Sequence, residues 1–377
     1  MTNAPGFLLT VLAFVLVIGP LVFIHELGHY LVGRWFGVHA EAFSIGFGKE
    51  IRGWTDKRGT RWKLAWMPLG GYVRFAGDMS PASTPTREWL DLPEAERNRT
   101  FQAKPVWQRA LIVLAGPAVN FLFALLVLAG FALAYGQSQT PAVAKRIVAQ
   151  SAAEKAGLKV GDRIVSVNDR PIANFSDLLT MIQYRPNELL DMEIERDGRT
   201  FETTVSTGVR VERDRFGHEY KIGSLGMERG PNVIVPVSLL QAPGVAVHQV
   251  GQILRTMVDT LGQVISGRRA AKDLGGPLKI AQVSGEQITR GPETFIFFIA
   301  LISINLGFIN LLPVPMLDGG HLLFYAIEAV RRKPVSQAAQ EWAFRSGLLM
   351  LLTLMVFVTF NDLSSFGVWD RLSGLIG

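Results

Sequence analysis

From Met1 to Ile24 the chain carries no charged side chain. A run of that length can cross a bilayer, and in hydrocarbon every backbone N–H and C=O must be satisfied within the segment, so it folds as a helix. The run passes without a break into Ile24-His25-Glu26-Leu27-Gly28-His29-Tyr30. A charged residue inside a membrane span costs about 2.5–3.5 kcal/mol on insertion scales, so its presence marks function. His25 and His29 share one face of a helix, one turn apart. Two imidazoles so placed can bind one metal ion, and Glu26 can act as base toward a water activated there. The run has neither a basic start nor a small-residue cleavage site, and it reads as a retained first span, about Phe7 to Trp35.

Three further segments have the same character. Ala110 to Tyr135 lies in a stretch uncharged from Arg109 to Lys145, and Thr294 to Leu317 in one uncharged from Glu293 to Asp318. Ser346 to Asn361 is shorter, and Trp342, Phe344 and a snorkelling Arg345 extend it. The loop from Arg34 to Arg109 carries thirteen Lys and Arg residues. The loop before the fourth span holds Arg331, Arg332, Lys333 and Arg345, and the tail after Asp362 only Arg371. The positive-inside rule then sets the N-terminus outside, the first loop inside, 136–293 outside and the C-terminus outside. The net charge of +6 follows these loops, which speaks for a membrane and against nucleic acid. With no cysteine there is no disulfide framework, thiolate nucleophile or Cys-based zinc site.

The first loop contains two strand-like stretches, Ala42 to Trp54 and Arg61 to Phe75, and the second ends in an apolar, Gly-rich turn. They predict a membrane-associated β-hairpin, tolerated at membrane depth only where protein or a wet cavity satisfies its backbone. Residues 78–104 are polar and Pro-rich and read as a loop. The region 141–230 reads as one small α/β domain, with strands at Arg163–Val167 and Asp191–Glu195 and a helix at Ser176–Gln183. Its Ala152–Asp162 stretch resembles the PDZ signature, and Ile222-Gly223-Ser224-Leu225-Gly226-Met227 resembles the PDZ carboxylate-binding loop. That loop comes last here, as in circularly permuted PDZ domains of bacterial proteases. Residues 231–254 are uncharged but contain Pro236, Pro243 and His248, and 231–291 reads as a domain exit with an amphipathic helix at the membrane surface.

A catalytic zinc site commonly takes three protein ligands. Asp318, in Asn310-Leu311-Leu312-Pro313-Val314-Pro315-Met316-Leu317-Asp318-Gly319-Gly320, is the candidate for the third. The first and third spans both run inward, so Asp318 arrives on the side where His25 and His29 lie. Counting 231–254 as a span would put it on the wrong side. His321 reads as a supporting residue, since three ligands and a water already fill a tetrahedral site. His39, His218 and His248 have no partner spacing.

With these residues in place the chain resembles the site-2 protease family of intramembrane zinc metalloproteases, in its bacterial RseP type. The likeness runs nearly end to end: His25–His29, Phe43–Gly48, Gly70–Val73, Ala115-Gly116-Pro117-Ala118-Val119-Asn120-Phe121, Gly275-Gly276-Pro277 and Asn310–Gly320. The resemblance implies a polytopic α-helical membrane protein of four transmembrane helices, arranged as a core half at 1–135, a PDZ domain at 141–230 and a second core half at 292–377. It implies one Zn2+ per chain held by His25, His29 and Asp318, with Glu26 as catalytic acid/base. Asn310 would orient substrate, and Gly70, Gly71, Tyr72 and Val73 would pair with an unwound substrate segment. Gly223, Ser224, Leu225 and Gly226 would bind a PDZ ligand. Substrates would be single-span membrane proteins such as anti-sigma factors or signal-peptide remnants, cut by a monomer in the bacterial inner membrane. Its termini and PDZ domain would be periplasmic and its active site toward the cytoplasm. The best-known members carry two tandem PDZ domains, and 141–230 has room for one. The competing reading is a PDZ-bearing membrane scaffold with a non-catalytic metal site, against which stands Glu26, an acid that a structural site does not need. A transporter would show inverted repeats, and the sequence has none.

Overall fold

The computed structural model describes residues 6–77, 93–213, 219–266 and 276–365. They divide into two compact units, Met1–Phe131 with Pro243–Gly377, and Ala132–Ala242.

Four helices of the described chain are long and apolar enough to cross a membrane: α1 (Phe7–Trp35), α3 (Val106–Tyr135), α8 (Pro292–Asn310) and α10 (Gln337–Ser365). Helix α1 stops at a turn in which Gly37 takes φ 74° and the Val38 N–H closes on the Gly33 carbonyl at 2.9 Å. The third span is shorter than its apolar run. Helix α8 ends at Asn310, because Pro313 and Pro315 cannot continue it. After an irregular turn the chain re-enters a helix at α9 (Asp318–Arg331), with Leu317 extended as its N-cap. Asp318 is therefore the first residue of a new helix rather than the last of a span.

Two further helices pack on the spans. Helix α6 (Ala242–Ile265) buries Ala246 and Val250 against Ala124 and Leu128 of α3 and Ala300 and Ile304 of α8, leaving Val247, Val258 and Ile265 exposed. The amphipathic helix expected after the second unit is present, and its apolar stripe rests on the other helices. Helix α7 (Pro277–Thr289) is capped from a distance: the Asp362 carboxylate of α10 accepts from the Gly276 N–H at 3.1 Å and the Lys279 N–H at 3.0 Å. A buried carboxylate at a helix N-terminus answers both the orphan amides and the dipole. Gly275 and His218 lie outside the described residues.

Strands β1 (Ala40–Thr55) and β2 (Arg61–Phe75) pair more than once. Gly46 and Gly48, both at φ 90°, let β1 turn back on itself. The pairings Ile45–Gly71 to Ala40–Phe75, Ala42–Arg61 to Ile45–Leu64, and Glu50–Ala65 to Thr55–Arg61 then give a sheet of four segments. Their order is 71–75, 40–45, 61–65 and 50–55, with 71–75 outermost. Phe43 and Trp62 stack at 4.4 Å within it, and Tyr30 of α1 meets Trp62 edge-on at 5.3 Å. Part of the expected 78–104 loop is packed. Beyond the short helix α2 (Glu94–Arg97), Phe101 is buried and stacks on Phe75. Residues 78–92 lie outside the described residues.

The second unit is wider than the 141–230 span expected for it, since β3 (Gln137–Gln139) pairs with β12 (Val233–Val235). Between them lie helices α4 (Ala152–Lys155) and α5 (Phe175–Gln183) and a four-stranded sheet ordered β6-β5-β7-β8. Its strands are β5 (Arg163–Val167), β6 (Arg170–Pro171), β7 (Leu189–Arg196) and β8 (Arg199–Ser206), while β4 (Ala144–Ile147) pairs with β11 (Met227–Arg229) and β9 (Gly208–Arg213) with β10 (Glu219–Ser224). Ser151 and Asn174 cap the two helices through their side chains. Ile164, Leu178, Leu190, Met192 and Ile194 form the core. At its rim Asp162, fully buried, accepts two bonds of 2.7 Å from the Arg196 guanidinium.

Candidate metal centre

Helix α1 carries His25 and His29 on one face, their rings edge to face at 4.8 Å. Their Nε2 atoms are 3.3 Å apart. The turn between α8 and α9 brings Asp318 to them, with Oδ2 at 3.2 Å from Nε2 of His25 and Oδ1 at 3.6 Å from Nε2 of His29. No other group of three or more metal-ligating side chains converges among the described residues.

Helix α3 forms the wall behind the histidines. The Nδ1 of His29 faces the Ile112 carbonyl at 2.9 Å, and the Nδ1 of His25 faces the Asn120 amide at 3.0 Å. Both imidazoles are thereby oriented with Nε2 toward Asp318. The helices touch through backbone: a Cβ on Gly28 would lie 2.5 Å from the Ala115 carbonyl oxygen. A Cβ on Gly116 would overlap the His29 ring and lie 2.9 Å from Cε1 of His25. Small residues at such a seam let two membrane helices approach closely.

Glu26, 9% exposed, turns toward the sheet. A Cβ on Gly71 would come within 2.9 Å of its Cγ, and the Val73 amide is within hydrogen-bonding reach of its carboxylate. Asn310, the last residue of α8, holds Nδ2 3.5 Å from Nε2 of His25. His25, Glu26, His29, Gly70, Gly71, Tyr72, Val73, Asn310 and Asp318 all line one cavity of about 510 Å3. His321 lines it as well, its ring packed 4.9 Å from that of Phe344.

The remaining expected residues lie in the second unit. Leu225 is buried in its core, and the Leu225 and Gly226 carbonyls accept from Ala153 and Val148 at 2.8 Å. Ser224, Leu225 and Gly226 border a groove of about 630 Å3 with mixed polar and apolar lining, to which Lys155 and Arg210 also contribute. Gly223 instead packs where a Cβ would meet the Arg185 carbonyl oxygen at 2.8 Å.

Two partners escaped the sequence reading. The Ile112 carbonyl has no side-chain signature at all. Asn120 has one, being the lone amide inside the Ala110–Tyr135 apolar run, but its spacing to the histidines is invisible in sequence.

The donor set fits zinc. Ligands 2.0–2.1 Å from a tetrahedral zinc stand about 3.3–3.4 Å from one another; the two imidazole nitrogens are 3.3 Å apart, one Asp318 oxygen lies 3.2 Å from the first and the other oxygen 3.6 Å from the second. Two imidazoles and one carboxylate leave a fourth position open, as catalytic zinc requires. A candidate metal site with an adjacent acid, carried on membrane-length helices, is the arrangement of a membrane metallohydrolase. The chain belongs to peptidase family M50, the site-2 protease family, whose model matches residues 13–354. It is similar to two proteins named "Putative zinc metalloprotease". One, from Rhizobium meliloti (strain 1021), is 42% identical over 94% of this chain and 96% of the relative. The other, from Agrobacterium fabrum (strain C58), is 41% identical over 96% and 98%. A third relative, "Metalloprotease MmpA" of Caulobacter vibrioides, is 38% identical over 98% and 99%. The chain is thus a multi-pass membrane zinc metalloprotease.

Proposed function

We propose that this protease hydrolyses peptide bonds inside the membrane-spanning segments of other proteins, with His25, His29 and Asp318 holding zinc and Glu26 as general base and acid. One observation carries the reading: three ligand side chains whose donor atoms converge within 4.8 Å open onto the cavity that Glu26 lines, between helices of membrane length.

Bound zinc lowers the pKa of a water to about 7 and polarises a carbonyl. Glu26 takes the proton of the attacking water and returns it to the leaving amine. Its near-complete burial keeps that proton from bulk solvent, and the Val73 amide steadies the carboxylate. Asn310 directs an amide toward the scissile carbonyl oxygen. A substrate helix hides its carbonyls in its own hydrogen bonds and must open locally. Segment 71–75, outermost in its sheet and running past Glu26, offers backbone to pair with the opened stretch.

In this reading the inner side of the bacterial inner membrane supplies water to the site, and the termini and the second unit are periplasmic. The second unit acts as a circularly permuted PDZ domain whose Ser224–Gly226 stretch borders the groove beside Lys155, a cation that suits a peptide carboxylate. Substrates are single-span proteins such as anti-sigma factors or signal-peptide remnants, and the enzyme works as a monomer without nucleic acid.

Glu26→Gln tests the core of this reading. In purified protein it keeps one zinc per chain while cleavage of a membrane-embedded substrate falls about 10²–10⁴-fold. Undiminished cleavage by the variant overturns it. Because the chain has no cysteine, a single cysteine beside His29 reports water access without background. Failure of a soluble thiol reagent to reach it from the cytoplasmic side excludes the inward channel.

A further inference from the structure

Asn120 is fully buried on α3. Its Nδ2 lies 3.0 Å from Nδ1 of His25, and its backbone carbonyl accepts from Ser303 Oγ at 2.8 Å. Its Oδ1 is buried with no hydrogen-bond partner. Buried amide oxygens rarely stay unpaired, and this one sits on the side chain that touches a zinc-ligand candidate.

A neutral imidazole carries one N–H. For Nε2 of His25 to offer its lone pair to a metal, the proton must be on Nδ1, and whatever faces Nδ1 must accept it. His29 meets this condition, since its Nδ1 faces the Ile112 carbonyl, which can only accept. At His25 an amide nitrogen faces Nδ1. That orientation suits the other tautomer, with the proton on Nε2 and donated to Asp318 at 3.2 Å. A half-turn about Cβ–Cγ exchanges the two ends of the amide, which are nearly equal in size. It brings Oδ1 onto an Nδ1–H, gives the orphan oxygen its partner and frees Nε2.

We infer that Asn120 is a positioning residue that selects the zinc-binding tautomer of His25 by presenting its amide oxygen, and that its two orientations match the two tautomers. The inference rests on His25 being a zinc ligand.

The test measures zinc affinity of the purified full chain by competition with a chelator, together with the visible spectrum of cobalt in the site. Asn120→Leu keeps the size and removes the acceptor. It lowers zinc affinity about ten- to hundredfold, the usual cost of losing such a partner, and shifts the cobalt bands. Asn120→Asp accepts but cannot donate when ionised, so it retains zinc close to the wild-type affinity. If the Leu variant binds zinc as wild type does, or the Asp variant loses zinc as the Leu variant does, the inference is overturned. Wild type and His25→Ala are measured alongside. Equal zinc affinity in those two overturns the ligand assignment itself, a result distinct from any failure of Asn120.

Discussion

Gly71 and Glu26 approach so closely that a methyl group added to the glycine would stand 2.9 Å from the Glu26 Cγ and 2.8 Å from both the Ser44 carbonyl oxygen and Val22. Backbone of the sheet and side chain of the helix share a space with no slack. Gly71→Ala must therefore push segment 71–75 away from the acid. Turnover falls about 10²-fold, the cost of a displacement near 1 Å at a reacting group. Zinc content stays at the wild-type level, because none of the three donors touches this position. Atomic absorption and a cleavage assay on one preparation check both halves.

Gly116 gives the opposite pattern. Its added methyl would overlap the His29 ring and crowd His25, so Gly116→Ala expels the metal. Zinc affinity drops by at least about tenfold, and activity returns in part when zinc is supplied in excess. Full zinc retention would show that the two rings can retreat.

Arg109 and Glu328 form an ion pair at 2.7 Å, 13% and 17% exposed, with the guanidinium 5.0 Å above the Tyr325 ring. The pair joins the start of α3 to the end of α9, the helix that begins at Asp318. Removing one partner, as in Arg109→Met, leaves the other charge buried and costs about 3–5 kcal/mol. Replacing both with apolar residues recovers most of that. Thermal midpoints in detergent for the two singles and the double decide it.

In the second unit, burial alone would raise the Asp162 carboxyl, but the Arg196 fork and the Lys159 N–H outweigh it and hold the group below the ordinary aspartate value. A folded value below the unfolded one, about 3.9, stabilises fully above that pH and is lost as pH falls toward the depressed value. Protection factors for hydrogen exchange across residues 137–213 should therefore fall below about pH 4, once the slower intrinsic exchange in acid is divided out. Arg196→Met removes most of this acid-side slope.

Lipid leaves a chain few choices, and the spans were accordingly legible: α1 runs from Phe7 to Trp35, as the charge pattern implied. The end of the third span was less so, because an apolar run says nothing about where two prolines within it stop the helix. Segment pairing in the sheet was not legible. Both strands could be read from alternation, but their lateral pairing depends on how Gly46 and Gly48 bend β1, a tertiary choice. At the centre, the candidate ligand side chains announced themselves through spacing. The carbonyl of Ile112, which orients one of them, is common to every residue and could not.

The seam at Gly28 and Ala115 has a mechanical consequence. Two rods that rotate about their point of closest approach move their ends most and that point least. Membrane helices tilt to match the thickness of the bilayer around them, and α1 and α3 touch by backbone between His25 and His29. The two histidines thus sit on the pivot, and a thinner or thicker membrane reaches their spacing last.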